Sequence, residues 1–433
     1  MSSWPSRFIY VCSATRAGIV NMLPLQLAGM DRLAAVFILC GAEKEDTSNS
    51  RDFSDAVEPA LRIARLIRAK RPDLKPEPLY GDPNDYTTWA NYLLSAAKAA
   101  HPDCPVIFNL RGGTKPMALG GLAGILSLPA GHGLLVDVGS ELQPRFIDPA
   151  RSMLSSVIDA DRFITITEFL EAQGYDEFAA GSRPAREGWN RKHRDRIARL
   201  AEALLPDIES LAPIIAESVK HLFDERGNKF TPGLIAPMAV NKGSPETRLH
   251  VATCMADLAG LMGLTANATD QNEPALFASN GDGARFIKSG WLEAYLFNRI
   301  EAVVGLEAGV KVAANVGLRF AEDGRSDHES SFGELDVAVM IRNQLHGFEV
   351  KLTSLKARHS QDKPLDQGRK FKLGPGGPQG QYTIVAPRTT EAALIGHPGA
   401  FLDQAERLGI ALALGPNAVD TAVAQVEAWV SSE

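Results

Sequence analysis

Two α/β modules in series are what this sequence predicts: a Rossmann-like domain first and a second domain of α+β character behind it. Three observations carry that expectation. The chain has 433 residues, more than one hydrophobic core usually serves. Its first 150 residues alternate apolar strand runs with helical periodicity, as parallel sheets with crossover helices require. Its last 150 residues instead place strand runs next to one another before helices resume.

In the first module, the runs from Arg7 to Ser13 and from Ala34 to Cys40 read as buried strands, with a helix beginning near Ala17 between them. From Ser54 to Arg71 the apolar positions Val57, Leu61, Ile63, Ala64 and Ile67 recur at helical spacing, with arginines opposite. Lys75 to Tyr80 is a short strand, and Asp82-Pro83 opens a helix that runs to Ala100. Cys104 to Leu110 is a further strand, followed by the loop Arg111-Gly-Gly-Thr-Lys115 and a helix through Leu126. Gly133 to Asp137 and Pro144 to Asp148 complete the strands, and Ile164 to Gly174 gives one more helix.

A basic stretch follows, with Arg183, Arg186, Arg191, Lys192, Arg194, Arg196 and Arg199 against Glu187 and Asp195. It reads as a solvated linker helix first and as a phosphate-contacting face second. From Leu200 to Asn280 helical patterns mix with Pro- and Gly-containing turns in no evident order. Beyond it, Trp291 to Val304 is a helix, and Leu335 to Ile341 with Leu345 to Leu352 form a hairpin. Gly374 to Pro378 is a loop, Tyr382 to Val385 a strand, Pro398 to Leu408 a helix and Ile410 to Leu414 a strand.

Composition narrows the function classes. A formal net charge of −7 excludes the global basic field of a non-specific DNA coat, while leaving room for one basic cleft. Cys12, Cys40, Cys104 and Cys254 form no C-x-x-C pair and do not cluster with histidine, so neither a zinc site nor a disulfide framework is expected. No signal peptide is evident, and the apolar run from Ala118 to Ala130 is too short to span a membrane. A cytoplasmic protein without a membrane partner is the expectation.

The chemistry concentrates in Gly333 to Lys351. Strand alternation puts Glu349 and Lys351 on one face. Asp336 lies one strand back. If the connection holds an even number of residues, such as Arg342-Asn343 alone, Asp336 stands opposite Glu349, near enough to share a cation. Two hard carboxylates suit Mg²⁺ or Mn²⁺, and Lys351 can position or deprotonate a water. A wet hairpin face bearing alternating charges explains Glu-x-Lys alone equally well. It does not explain why Val337, Val339, Ile341, Phe348, Val350 and Leu352 fill the other face of what then becomes a core hairpin.

Taken in order, Gly290-Trp-Leu-Glu293, Glu334-Leu-Asp336-Val, Phe348-Glu-Val-Lys351 and Gly376-Gly-Pro-x-Gly380 resemble the PD-(D/E)XK nuclease domain of CRISPR ancillary nucleases, over roughly residues 286 to 390. The resemblance implies a restriction-endonuclease-like α+β domain and a catalytic set of Glu293, Asp336, Glu349 and Lys351, with Glu334 assisting. It implies a metal held by Asp336, Glu349 and the backbone carbonyl of Val350.

Asn109 to Met117 falls between a strand and a helix, at the sheet edge where α/β folds bind ligands. Its glycines let backbone N–H groups approach an anion, Thr114 can cap the helix, and Lys115 adds charge at the helix N-terminus. A tight turn with a good cap accounts for Gly112, Gly113 and Thr114, but not for Lys115. The spacing is neither that of a P-loop nor that of a dinucleotide fingerprint. N-x-x-G-G-T-K-P-M after a late strand is similar to the CRISPR-associated Rossmann fold (CARF) domain, over about residues 5 to 150. That family binds cyclic oligoadenylate across a dimer two-fold. The resemblance implies activator-binding residues Ser13, Ala14, Thr15, Arg16 and Asn21 on one loop and Asn109, Arg111, Gly112, Gly113, Thr114 and Lys115 on the other.

The expectation is therefore a CARF domain over residues 1–155, a helical linker and nuclease-associated region over 156–285, and a PD-(D/E)XK domain over 286–433. Its function would be that of a homodimeric, Mg²⁺- or Mn²⁺-dependent nuclease activated by a cyclic oligoadenylate, the tetra-adenylate first, in type III CRISPR defence. Single-stranded RNA or DNA is the expected substrate, or duplex DNA that is nicked. Lys356, Arg358, Lys363, Arg369, Lys370 and Lys372 are either a phosphate-holding run or a solvated loop. A ligand-responsive regulator that binds nucleic acid without cutting it is the alternative. A restriction-type endonuclease whose first domain is merely structural is a third reading.

Overall fold

A computed structural model describes residues 4–15, 18–41, 51–82, 85, 94–95, 97–129, 132–138, 144–147, 156–157, 164–173, 175–178, 183–224, 229–267, 274–305, 309–320, 331–355, 358–377, 380–394 and 401–431. The chain is mixed α/β and divides into two compact units. One comprises residues 1–177, 318–331 and 340–345, the other residues 178–317, 332–339 and 346–433. Among the described residues no helix is long and apolar enough to cross a membrane.

The first unit follows the predicted order through β1 (Phe8–Ser13), α1 (Ile19–Ala28), β2 (Leu33–Cys40), α2 (Arg51–Lys70), β3 (Glu77–Tyr80), β4 (Val106–Asn109), α3 (Lys115–Leu126), β5 (Gly133–Val138), β6 (Pro144–Ile147) and α4 (Ile166–Gln173), and adds two short strands that were not expected, β7 (Ser156–Val157) before α4 and β8 (Tyr175–Phe178) after it. The helix expected from Asp82 to Ala100 lies mostly outside the described residues, with 94–95 and 97–100 helical. A seven-stranded sheet has the order β3-β2-β1-β4-β5-β6-β7. Its pairings from β3 to β5 are parallel, and β6 and β7 return antiparallel.

The reason for the order is visible in the residues. All six positions of β1 are buried, as a strand covered on both faces requires. Val57, Ala60, Ile63, Ala64 and Ile67 of α2 are buried on its inner stripe. The chain runs outward from β1 to β2 and β3, then crosses back to place β4 on the other side of β1. That reversal opens a crevice beyond the carboxyl ends of β1 and β4, the position at which open α/β sheets take ligands.

The second unit contains α5 (Arg183–Lys192), α6 (Arg194–Leu204), α7 (Ile208–Lys220), β9 (Gly233–Ile235), α8 (Pro245–Ala256), β10 (Leu264–Asn267), β11 (Ala275–Ala278), α9 (Gly281–Arg285), α10 (Trp291–Val304), β12 (Val310–Phe320), β13 (Ser331–Ile341), β14 (Gln344–Val350), α11 (Arg358–Leu373), β15 (Tyr382–Ala386), α12 (Phe401–Arg407), β16 (Ile410–Leu414) and α13 (Ala418–Ser431). Strands β9, β10 and β11 form a small antiparallel sheet. The larger sheet runs β16-β15-β14-β13-β12, with β14, β15 and β16 mutually parallel. Trp429 of α13 stacks on His346 with ring centroids 4.4 Å apart and also reaches Phe348, so α13 covers one face of β14. Burial pushes His346 down to about 4, which keeps it neutral inside this contact.

The two basic segments take definite form. The stretch from Arg183 to Arg199 is two helices broken at His193, with Arg186, Arg191, Lys192 and Arg199 exposed. Arg191 and Arg194 both bond Glu301 of α10 at 2.7 Å, and Arg196 donates to the Ala259 carbonyl at 2.9 Å. The run after the hairpin is the helix α11 rather than a loop. Arg369 and Lys370 pair with Asp366 of the same helix, and Lys372 donates to the Gly409 carbonyl. Lys363 is exposed, and Lys356 lies outside the described residues.

Candidate active site and candidate ligand loops

The hairpin turn consists of Arg342 and Asn343 alone, both with positive φ, at 47° and 66°. Two left-handed residues are what a type I′ turn demands, and asparagine tolerates that region best among residues bearing a Cβ. The connection is therefore even in length, and counting back along β13 and β14 puts Asp336 across from Glu349. Asp336 Oδ2 accepts the N–H of Val350 at 2.6 Å.

Glu349 is buried, at 2 % exposure, and two donors hold it. Lys351 Nζ contacts its Oε1 closely, and the hydroxyl of the fully buried Tyr382, on neighbouring β15, donates to its Oε2 at 3.3 Å. Glu293 is the third residue of α10, which continues a π-helical turn at Phe286–Gly290 and opens on the buried Trp291-Leu292. Asn315 Nδ2 of β12 donates to Glu293 Oε2 at 3.1 Å. Segments far apart in sequence thus bring together all four residues of the predicted catalytic set. Glu334 is exposed at the margin, and its charge reaches Glu293.

Electrostatics follow from burying like charges together. Burial raises the Asp336 carboxyl well above the ordinary range, and the nearby charges of Glu349 and Glu293 push it further. Lys351 and the Val350 N–H oppose them without prevailing. Burial also raises Glu293, against the pull of the Asn315 amide, Arg186 and Lys351. For Lys351, burial alone would lower the ammonium, but Glu349, Asp336 and Glu293 outweigh it and the net shift is upward. In this arrangement Lys351 stays charged at neutral pH, which suits positioning a water or phosphate rather than removing a proton. Tyr382 is raised by burial and by the two acids, so it remains a donor.

Among the described residues no group of three His, Cys, Asp or Glu side chains is arranged to hold a metal ion. What the site offers a divalent cation is a pair, Asp336 and Glu349, with Glu293 near. The donor set is all hard oxygen, and the mutual repulsion that raises Asp336 is what a cation would relieve. The residues fit such an ion in kind.

In the first unit the two predicted loops meet at the crevice between β1 and β4. Gly112 and Gly113 have φ of +100° and +67°, and a Cβ at either would strike Ser13, at 2.5 Å from its carbonyl oxygen or 2.6 Å from its Cβ. Only glycine allows that approach. Beneath the loops, Asn109 and Asn21 are fully buried. Asn109 Nδ2 donates to Tyr10 Oη, the Val20 carbonyl and Asn21 Oδ1, and Asn21 Nδ2 donates to the Ser13 carbonyl at 2.7 Å. The Arg111 N–H donates to Asn109 Oδ1 at 2.9 Å. Of the predicted binding residues, these two asparagines therefore fasten the loops to each other from below, and Ser13 and Ala14 are also buried. Thr114 is the N-cap residue of α3 and Lys115 the first residue of the helix, both exposed. Arg111 is half-exposed and ion-paired to Asp137 of β5 at 2.8 Å. Arg16 lies outside the described residues.

Sequence reasoning missed Asn315 and Tyr382. Neither carries a signal in a single sequence, since each acquires its partner only through sheet order.

No family model matches the chain, and no curated protein matches it. Two solved structures share its fold along nearly the whole length. Protein VC1899 from Vibrio cholerae superposes with a TM-score of 0.63 and 16% identity, over 98% of this chain and 97% of that one. Can2 from Sulfobacillus thermosulfidooxidans, in complex with cyclic tetra-adenylate, gives a TM-score of 0.60 and 16% identity, over 98% of this chain and 100% of that one. At such identity the likeness is one of fold.

Proposed function

We propose that this protein is a cyclic-tetra-adenylate-activated, metal-dependent nuclease of type III CRISPR defence, with a CARF sensing domain and a PD-(D/E)XK catalytic domain. The observation that carries the reading is the convergence of Glu293, Asp336, Glu349 and Lys351 around one partly buried spot, in the order the resemblance requires. The fold shared with a protein that binds cyclic tetra-adenylate supports the sensing half.

A bound Mg²⁺ or Mn²⁺ would offset charge on the scissile phosphate and make water a better nucleophile. Asp336, Glu349 and the Val350 carbonyl would hold it. Tyr382 and Lys351 fix the Glu349 carboxylate between them, and the Lys351 ammonium faces the phosphate or the attacking water. In the sensing domain, the glycine loop and the N-terminus of α3 present N–H groups and Lys115 to an anionic ring. A ligand with two-fold symmetry would be taken by two copies of the crevice, which makes the active species a homodimer. Activation is then a shift of population toward the cutting arrangement.

The test is cleavage of single-stranded RNA, single-stranded DNA and supercoiled duplex DNA, with and without cyclic tetra-adenylate and Mn²⁺. Cleavage should need both and stop on chelation. Cleavage independent of activator would favour the restriction-type reading, and binding without cleavage would favour the regulator. A second test addresses Lys115. Lys115→Ala should remove charge-assisted contacts of roughly 1.5–3 kcal/mol each, which is about a 10- to 150-fold loss of activator affinity per contact. Excess activator should restore cutting. Wild-type affinity of the variant by calorimetry would remove Lys115 from the site.

A further inference from the structure

Asn315 occupies the left-handed region, with φ of +53°, in the middle of a strand of eleven residues. A single left-handed residue within a strand is the mark of a bulge, which breaks the ladder and turns a side chain out of the alternation. Ala313, Ala314 and Val316 on either side are buried, and Asn315 between them is half-buried. Asparagine pays less than other residues for this conformation but more than glycine, so sequence that serves stability alone would place glycine here. What the asparagine adds is its amide, which lies 3.1 Å from Glu293 Oε2.

The neighbourhood braces the bulge. The N–H of Ala314, next to Asn315, is taken by the Glu187 carboxylate of α5 at 3.4 Å. The same helix is tied to α10 through Asn298 Nδ2 donating to the Asn190 carbonyl at 3.3 Å and through Arg191 bonding Glu301. Helix α5 thus fastens both the strand that carries Asn315 and the helix that carries Glu293. Backbone strain held in place by surrounding contacts clusters at working sites.

We propose that Asn315 is a positioning residue of the carboxylate site: the β12 bulge exists to aim its amide at Glu293 and fix that carboxylate beside Asp336 and Glu349. The inference rests on the nuclease reading for its activity readout, but not for its structural one. Asn315→Gly relieves the left-handed strain and removes the amide. Asn315→Asp keeps shape and backbone preference but replaces the donor with an acceptor facing a carboxylate.

The experiment measures cleavage kinetics, thermal midpoint and Mn²⁺ affinity for the wild-type chain and both variants, with cyclic tetra-adenylate present for the kinetics. Loss of a partner outside the ligand set that orients a group beside a metal site typically costs about 10- to 100-fold in activity or metal affinity. For Asn315→Gly we expect kcat to fall by that order at unchanged KM, Mn²⁺ affinity to fall, and the thermal midpoint to hold or rise. Asn315→Asp should lose kcat as well. A structural asparagine predicts the opposite pattern for Asn315→Gly, a lower midpoint with wild-type kcat in the folded fraction, and that result overturns the proposal. If the wild type cuts nothing under any condition, the nuclease reading fails by itself, and Mn²⁺ affinity decides on Asn315. Equal affinity in wild type and Asn315→Gly, or no Mn²⁺ binding by the wild type, then defeats it.

Discussion

Lys351→Ala is expected to lower the cleavage rate by about 10²- to 10⁴-fold, the range for removing a group that acts on the reacting atoms. That corresponds to roughly 2.7–5.5 kcal/mol of transition-state stabilisation. The physical ground is specific. Three acids keep Lys351 charged against the pull of burial, and its Nζ lies against Glu349 Oε1. Alanine removes the cation that lies against Glu349 and acts on all three acids, and it leaves Glu349 the hydroxyl of Tyr382 as a donor. Activator affinity should be unchanged, because the loops at β1 and β4 belong to the other compact unit. Raising the activator concentration should not restore cutting, the reverse of Lys115→Ala. The measurement is single-turnover cleavage beside activator calorimetry. A Lys351→Ala chain that cuts at the wild-type rate would end the nuclease reading. Lys351→Arg tests the geometry further. Arginine keeps the charge but is a rigid fork, so it should recover only part of the rate.

How much of this was legible beforehand depends on where each signal resides. Most of the first unit was readable because its central strands are unbroken apolar runs covered on both faces, such as Phe8–Ser13, and α2 carries an inner stripe of Val57, Ile63, Ala64 and Ile67, although Leu61, read into that stripe, is exposed and the short strands β7 and β8 gave no signal. The hairpin was readable because strand alternation fixes faces once the turn length is known, and Arg342-Asn343 supplied the even number. Strand β12 was not foreseen. Ala313-Ala314-Asn315 interrupts its alternation, and the interruption is the bulge itself. Helix α11 was hidden by Pro364 and Gly368 within it and by the density of charge along it. Between residues 200 and 280, strands of three or four residues and a proline inside α7 give no window long enough for a period to emerge. For Asn109 and Asn21 the sequence carries only part of the picture. A motif places them at a ligand loop, but only the packed structure shows that they face inward and tie the loops together.

Asp336→Asn should abolish cleavage and at the same time make the folded chain more stable. Asp336 is half-buried beside Glu349 and Glu293, and its folded-state pKa lies well above the ordinary carboxylate value. A carboxyl whose pKa is raised on folding binds protons more tightly in the native state than in the unfolded one. Native stability then falls as pH rises from the usual carboxylate range through the raised value. Wild type carries that cost at neutral pH, and the asparagine does not. Its amide oxygen can still accept the Val350 N–H that Asp336 Oδ2 now accepts at 2.6 Å, and it brings no charge toward Glu349. The expected gain is about 0.5–2 kcal/mol at pH 8, the usual size when a working site is relieved of an unfavourable residue, and it should shrink toward acid pH. Mn²⁺ should narrow the difference from the other side. A cation bound to the native state stabilises wild type in proportion to the logarithm of its concentration above Kd, while Asp336→Asn, having lost a ligand charge, should respond weakly. Thermal unfolding of both proteins at pH 5 and pH 8, each with and without Mn²⁺, reads all four quantities. A variant that is less stable than wild type at pH 8 would mean that Lys351 already compensates the acid cluster without a metal ion. A wild type whose midpoint ignores Mn²⁺ would remove the metal from Asp336 and Glu349 altogether.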